Sequence, residues 1–329
     1  MKKFQKFAEP TISNSTYAGE AAAQYIAAAL LSAKTLDNKY VTIMPNVKYK
    51  EVIQKLALDG IVQDASCDFT TSGSVTISER VLQPKELQVN LLLCKQNFVQ
   101  SWEALQLGYS AFDEIPKNFN DYLISYVGGQ VAQATEISIW QGNNSANGQF
   151  GGFQTAFSAS IAAGGATAVL PARSTGGSSA IISGSVDPTN VISKLNSVFL
   201  TVPKTVYGKQ DLLMYVSTNV AKSYQAALAG GGANGLGANG FNNQLNVGEK
   251  PMNFQGIPVH MCPGLTDSDC VLGLKSDLHF GTGLMSDTNE VKVIDMSDID
   301  GSQNIRVILR FQGGIIATNP TQTVVLNVS

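Results

Sequence analysis

Four side chains late in the chain could chelate a metal: His260, Cys262, Cys270 and His279. On a strand, residues two apart share a face, so His260 and Cys262 would point the same way. The spacing matches no zinc-finger pattern, and Pro263 and Gly264 redirect the chain between the two cysteines. The expected reading is a half-buried strand carrying reduced, structural thiols, with no metal. Gly235-Leu-Gly-Ala-Asn-Gly240 spells a dinucleotide fingerprint. That chemistry needs a strand before the glycines and a helix after them. Here a helical stretch precedes and an Asn-rich coil follows, so Gly230 to Gly240 reads as an exposed, mobile loop. Asp298, Asp300 and Gly301 match part of a calcium loop but lack its third early ligand and closing Glu. A turn between strands explains them better. No nucleophile elbow, HExxH or P-loop lysine occurs, and no acid–base pair can be placed. No catalytic, cofactor-binding or metal-binding residue is assigned, no cofactor is expected, and nothing marks an enzyme.

Composition narrows the remaining classes. Of 329 residues, 44% are hydrophobic and only 14% charged, below the usual quarter. A surface so poor in charge suits one that neighbours cover. The net charge of −3 gives no field to attract nucleic acid or an anionic membrane. Cys67, Cys94, Cys262 and Cys270 lie far apart without a CxxC, which fits a reducing compartment. The Met-Lys-Lys start and the apolar run Ala21–Ala33 imitate a secretion signal, but Glu9, Pro10 and Glu20 interrupt its layout. No run reaches the ~18 apolar residues that span a bilayer. The expectation is a soluble, non-secreted chain with no membrane partner.

The element that must organise the fold is Lys117–Gln141. Phe119, Leu123, Tyr126, Val127, Val131, Ala134, Ile137 and Trp140 recur at steps of mostly three and four, which predicts one apolar stripe on a long helix. At 1.5 Å per residue it would reach about 35 Å. Pro116 and Gly142 punctuate its ends, and Gly128 and Gly129 imply a close neighbour at its middle. The expected spine core is Phe119, Leu123, Val127, Val131, Ile137 and Trp140.

Before the spine, residues 1–16 read as a polar arm, Tyr17–Ala33 as an Ala-rich helix, and Tyr40–Leu93 as a long antiparallel hairpin. The hairpin's polar tip is Asp68, Phe69, Thr70, Thr71, Ser72 and Gly73. Such a ribbon is barely stable alone, so it lies either on its own domain or on a neighbour. Asn97–Tyr109 reads as a short helix around Trp102. Phe157–Val186 yields no element. Asp187-Pro188 then opens a helix with Val191, Ile192, Leu195, Val198 and Phe199 inward, closed by Pro203. Leu212–Val216 is a strand, and Asn219 caps a helix through Ala229. Short strands follow around Ile257–Met261, Val271–Leu274, Val291–Ile294, Ile305–Phe311, Gly314–Ala317 and Val324–Val328.

This order of arm, helix, long hairpin, spine, α+β unit and returning strands resembles the Hong Kong 97-type major capsid protein of tailed double-stranded DNA bacteriophages. The residues that carry the likeness are Leu82-Gln-Pro-Lys-Glu-Leu-Gln-Val-Asn90 into Lys95–Phe98 and Trp102, Glu136-Ile-Ser-Ile-Trp-Gln-Gly142, Asp187–Val191, Leu212–Val216 with Asn219 and Tyr224, Phe254–Pro258, Asp277–Gly281, Ser286-Asp287 and Asn304–Arg306. The resemblance implies an α+β capsid fold. Residues 1–39 would be the N-terminal arm and helix, and 40–96 the extended loop. Residues 97–184 would form the peripheral domain with spine 117–141, 185–290 the axial domain, and 291–329 the returning peripheral strands. The implied function is an icosahedral shell around a phage DNA genome, built in the host cytoplasm from hexamers and pentamers of this chain. The implied partners are a portal, a decoration protein where one is used, and a scaffolding protein. No long scaffolding segment precedes the arm, so the expectation is either a separate scaffold or an already trimmed chain, and the initial Met favours the separate scaffold. The hairpin tip would make intersubunit contacts, and DNA would be enclosed without sequence-specific binding. Two other readings stay open: an encapsulin-like nanocompartment of the same fold, and a β-rich adhesin or tail-associated binding protein.

Overall fold

The computed structural model describes residues 15–18, 33–47, 49–65, 67, 71–94, 119–164, 168–174, 180–230, 252–283, 290–302 and 304–327. In chain order the elements are β1 (Ser15–Ala18), α1 (Lys34–Asp37), β2 (Thr42–Met44), β3 (Glu51–Asp59), β4 (Ser74–Leu82), β5 (Lys85–Cys94), α2 (Phe119–Gln141), α3 (Phe153–Ala163), β6 (Leu170–Pro171), α4 (Val191–Thr201), β7 (Leu212–Val216), α5 (Thr218–Gly230), β8 (Met252–Phe254), β9 (Ile257–Met261), β10 (Cys270–Leu274), β11 (Leu278–Gly281), β12 (Glu290–Asp295), α6 (Ser297–Asp300), β13 (Asn304–Ala317) and β14 (Val324–Leu326). Contacts group these into two compact units.

The first unit draws its described residues from Met1–Ser32, Glu86–Ala132 and Leu284–Gln312. Its sheet places β12 between β1 and β13, antiparallel to both, and β5 also pairs with β13. Ile305, Val307 and Leu309 are buried while Arg306 and Arg310 face out, a period-2 strand with one covered face. Here the expected helix over Tyr17–Ala33 is corrected at its start. Tyr17 and Ala18 are strand, paired with Val291 and Glu290 across the chain. Residues 19–32 and the expected helix Asn97–Tyr109 lie outside the described residues.

The second unit draws on Ala33–Lys85, Gln133–Gly283 and Gly313–Ser329. Its main sheet has the order β6-β14-β10-β7-β9-β8. β10 is buried along its whole length, as a central strand must be. α4 packs on α5 and β14. Val191, Leu195, Val198, Val220 and Tyr224 close the apolar core over Met214, Val216, Leu272 and Leu326. α4 begins at Val191, three residues later than the Asp187-Pro188 pair predicts. The Asp187 carboxylate instead accepts the backbone N–H of Thr189 at 2.8 Å and of Asn190 at 3.1 Å, closing a turn ahead of the helix. Ser217, not Asn219, caps α5, its Oγ accepting the Val220 N–H at 3.3 Å. A second sheet pairs β2 in parallel with β11, and β11 with the Gly314–Ala317 end of β13.

Helix α2 spans Phe119–Gln141 as the sequence predicts, but its buried face is only partly the expected stripe. Val127, Val131 and Trp140 are buried, as are Thr135, Glu136, Ser138 and Ile139. Ile137 is 46% exposed and is corrected from core to surface; Tyr126 is exposed as well. The side chains of Phe119 and Leu123 lie outside the described residues. At Gly129 a Cβ would meet nothing within 4 Å, so the expected close neighbour is absent there. These burials set opposite expectations for two aspartates. Val131→Asp places an unpaired charge in the core and should abolish soluble folded protein. Ile137→Asp should leave the thermal midpoint of the subunit nearly unchanged.

Candidate functional site

The hairpin is the feature of the fold that has no counterpart in a self-contained globule. Its ladder runs from Glu51–Leu82 at the root to Asp59–Ser74 near the tip. It is therefore shorter than the Tyr40–Leu93 excursion read from the sequence: Thr42–Met44 joins β11, and β5 pairs with β13. Nine residues per strand give a ribbon about 30 Å long. The alternation sorts its side chains onto two faces. One carries the directly opposed pairs Val52–Val81, Leu56–Ile77 and Leu58–Val75, all of them exposed. Among them Gln54 donates to Glu79 at 2.8 Å, the one polar rung on this face. The other face carries Ile53, Lys55, Ser78 and Arg80. Toward the tip Ile61 and Val62 are also exposed, Val62 by 89%. Of the expected tip residues, Asp68, Phe69 and Thr70 lie outside the described residues. Thr71 is exposed, and Ser72 donates through Oγ to the Ile61 carbonyl at 2.9 Å, next to Gly73, the residue before β4 begins.

The ribbon root is firmly held. Leu82 is fully buried against Gly281, where a Cβ would stand 2.6 Å from Leu82 Cδ2, so any larger residue there must displace the Leu82 side chain. The Lys85 ammonium donates to the carbonyls of Asn144 and Gln149 at 2.8 Å each. Three donor hydrogens on one ammonium suit such a carbonyl cage.

The segment leading into the ribbon is pinned to the end of the spine. Glu136 accepts the Thr35 N–H at 2.9 Å and the Thr35 hydroxyl at 2.6 Å, while Trp140 Nε1 donates to the same hydroxyl oxygen at 2.9 Å. All three side chains are buried, so the bonds are made where water cannot replace them. The Trp140 ring packs on Phe153 and Tyr215 with centroids 5.5 and 5.4 Å away. Tyr215 donates to the Tyr40 carbonyl at 2.7 Å, and burial pushes its phenol well above the usual range. Gly264 lies against the spine so closely that a Cβ there would be 2.2 Å from the Glu136 carbonyl oxygen.

The metal-type residues do not converge. Among the described residues no three His, Cys, Asp or Glu side chains could share an ion. Cys262 and Cys270 are fully buried, and burial raises both thiols far above the ordinary value. His260 lies on Tyr40, ring centroids 4.2 Å apart, and His279 sits on β11. Asp298 and Asp300 fall in the short α6, with Asp300 Oδ1 accepting the Ser302 N–H at 2.9 Å, a turn between strands. The Gly235–Gly240 stretch lies outside the described residues.

One buried carboxyl is set to titrate near neutrality. Burial, helped by the charge of Asp267, raises Asp269 to about 7, while the hydrogen bond that Gln154 donates to it pulls the other way. The ordinary value is ~3.9, so the native state holds the extra proton between the two values. Stability from this group is therefore present at low pH and lost as pH rises through about 7. Asp269→Asn should flatten the pH dependence of the urea midpoint between about pH 4 and 7.

No family model matches the chain, and no curated protein sequence matches it. Solved structures do. The capsid of an empty GTA particle aligns over 100% of this chain and 95% of its own with TM-score 0.58 at 10% identity. The Cyanophage A-1(L) capsid aligns over 90% and 93% with TM-score 0.58 at 12% identity. A chain of Gordonia phage Cozz aligns over 90% and 86% with TM-score 0.55 at 12% identity.

The chain has the phage capsid fold.

It is the α+β capsid fold of the Hong Kong 97 type, here with an exposed β3–β4 ribbon. The residues of the ribbon's apolar face were not singled out from sequence as a group. Their signal was there, since Val52, Leu56 and Leu58 fall on even positions and Val75, Ile77 and Val81 on odd ones. The Thr35–Glu136 bond had no local signal, because its partners are 101 residues apart.

Proposed function

We propose that this chain is the major capsid protein of a tailed phage, a structural and non-catalytic subunit that assembles into hexamers and pentamers around double-stranded DNA. The observation that carries the reading is the apolar face of the β3–β4 ribbon, left open to water on a capsid fold. A two-stranded ribbon has too little burial to be stable alone, and an exposed apolar face broken by one polar rung marks an interaction surface. A neighbouring copy that covers it supplies the missing burial, and a heterologous contact of this kind closes into rings. The ribbon and its tip then form the intersubunit contact. The region 185–290 serves as the axial domain and the returning strands complete the peripheral one. A portal and a separate scaffolding protein complete the assembly. With a net charge of −3, the shell holds DNA by confinement rather than adhesion.

Sedimentation velocity of the purified chain, alone and after co-expression with the scaffolding protein, tests this reading. Species of ring or shell mass support it. A chain that stays monomeric in both settings and binds glycans would replace it with the adhesin, and shells filled with a protein cargo in place of DNA would replace it with the nanocompartment.

A further inference from the structure

We infer that the polar face at the ribbon root, together with the rim beneath it, is a binding site for a single phosphate-type oxyanion. Lys55, Ser78 and Arg80 of the ribbon and Ser276, His279, Thr318 and Asn319 of the body line a cavity of about 220 Å³. All belong to one compact unit. No carboxylate lines the cavity, although the chain has 25 acidic residues against 22 basic ones. Three carboxylates lie directly behind the lining: Asp277 Oδ1 accepts from Asn319 Nδ2 at 2.6 Å, Asp211 Oδ2 from the Ser276 hydroxyl at 2.5 Å, and Glu79 from Gln54 at 2.8 Å, so those three donors are spent and the anion is left to the cations of the ribbon.

Two features point to a ligand rather than to an ordinary polar surface. Lys55 and Arg80 have no carboxylate partner among the described residues. His279 Nδ1 is enclosed yet has no hydrogen-bond partner. An enclosed ring nitrogen without a partner is costly unless something fills the role. The Arg80 guanidinium, the Lys55 ammonium and the Ser78 hydroxyl on the ribbon, with the His279 imidazole opposite, offer more donors than a two-oxygen carboxylate can use, and suit a four-oxygen anion. Bound there, the anion would bridge β3 and β4 to β11 and to residues 318–319, fixing the ribbon at its root. This inference does not rest on the shell reading, since it concerns the isolated subunit.

The test uses the full chain with sodium phosphate, titrated against sodium chloride at equal ionic strength. Phosphate should raise the thermal midpoint saturably and shift the His279 imidazole resonances, assigned with His279→Gln; the chain has only two histidines. Lys55→Gln and Arg80→Gln change exposed side chains, so both variants should fold and lose at least tenfold in phosphate affinity. Arg80→Lys should retain part of it. A twelve-base-pair duplex in a parallel titration separates the two sources of the group. Competition between duplex and phosphate assigns the site to backbone phosphates, and phosphate binding without duplex binding assigns it to the free ion. Equal midpoint shifts in wild type and Lys55→Gln, an unmoved His279, or acetate binding as tightly as phosphate would overturn the inference.

Discussion

Replacing Leu56 and Ile77 together with aspartate is expected to abolish particle formation while leaving a folded subunit. The two side chains oppose each other across the ribbon, and both are exposed in the single chain. Charging them therefore buries no charge in the subunit, and its circular dichroism and thermal midpoint should stay within experimental error. In an assembly the same pair would lie against a neighbour. Two desolvated carboxylates without partners would each cost several kcal/mol there, repeated at every copy of the contact. The matched control is Thr76→Asp, an exposed position on the opposite face, which should leave particle yield largely intact. Assembly by the Leu56→Asp/Ile77→Asp protein, seen as a fast-sedimenting peak, would mean that the apolar face is not the contact.

The second large effect is on stability. Trp140→Ala removes a fully buried indole and the hydrogen bond to Thr35. Truncating a buried tryptophan typically costs about 3–5 kcal/mol, a large share of the ~5–15 kcal/mol that holds a native domain together. The thermal midpoint should fall by on the order of 10 °C. Trp140→Phe keeps most of the ring contacts with Phe153 and Tyr215 and leaves the Thr35 hydroxyl bonded to Glu136, so its loss should be about 1–2 kcal/mol. Equal losses in the two variants, read by urea denaturation, would show that ring packing contributes little at this site.

What could be read from the sequence was the local part. Leu212–Val216 and Ile257–Met261 have the bounds expected of them because each is a short apolar run with polar or Pro/Gly neighbours. The spine was legible in length but not in facing. Ile137 is apolar and sits outside, while Glu136 is charged and sits inside. Only Thr35, remote in sequence, makes the buried carboxylate affordable. Helix α3 escaped notice because Phe153–Ala163 is mostly small residues, with only Phe153 and Phe157 buried. β1 could not be seen as a strand because its ladder partner, β12, comes from the far end of the chain. At the candidate site, the hairpin and its exposed tip were legible from alternation and turn residues. Its true root was not, since that depends on Leu82 meeting Gly281 and Lys85 meeting the Asn144 and Gln149 carbonyls.

The most direct test is negative-stain electron microscopy of the particles recovered when the chain is expressed alone and with the proposed scaffolding protein. Closed icosahedral shells with fivefold and sixfold clusters are expected from the unaltered chain, and none from the Leu56→Asp/Ile77→Asp chain. Fields of dispersed monomers from the unaltered chain in both settings, or shells equally abundant from both chains, would contradict the capsid reading.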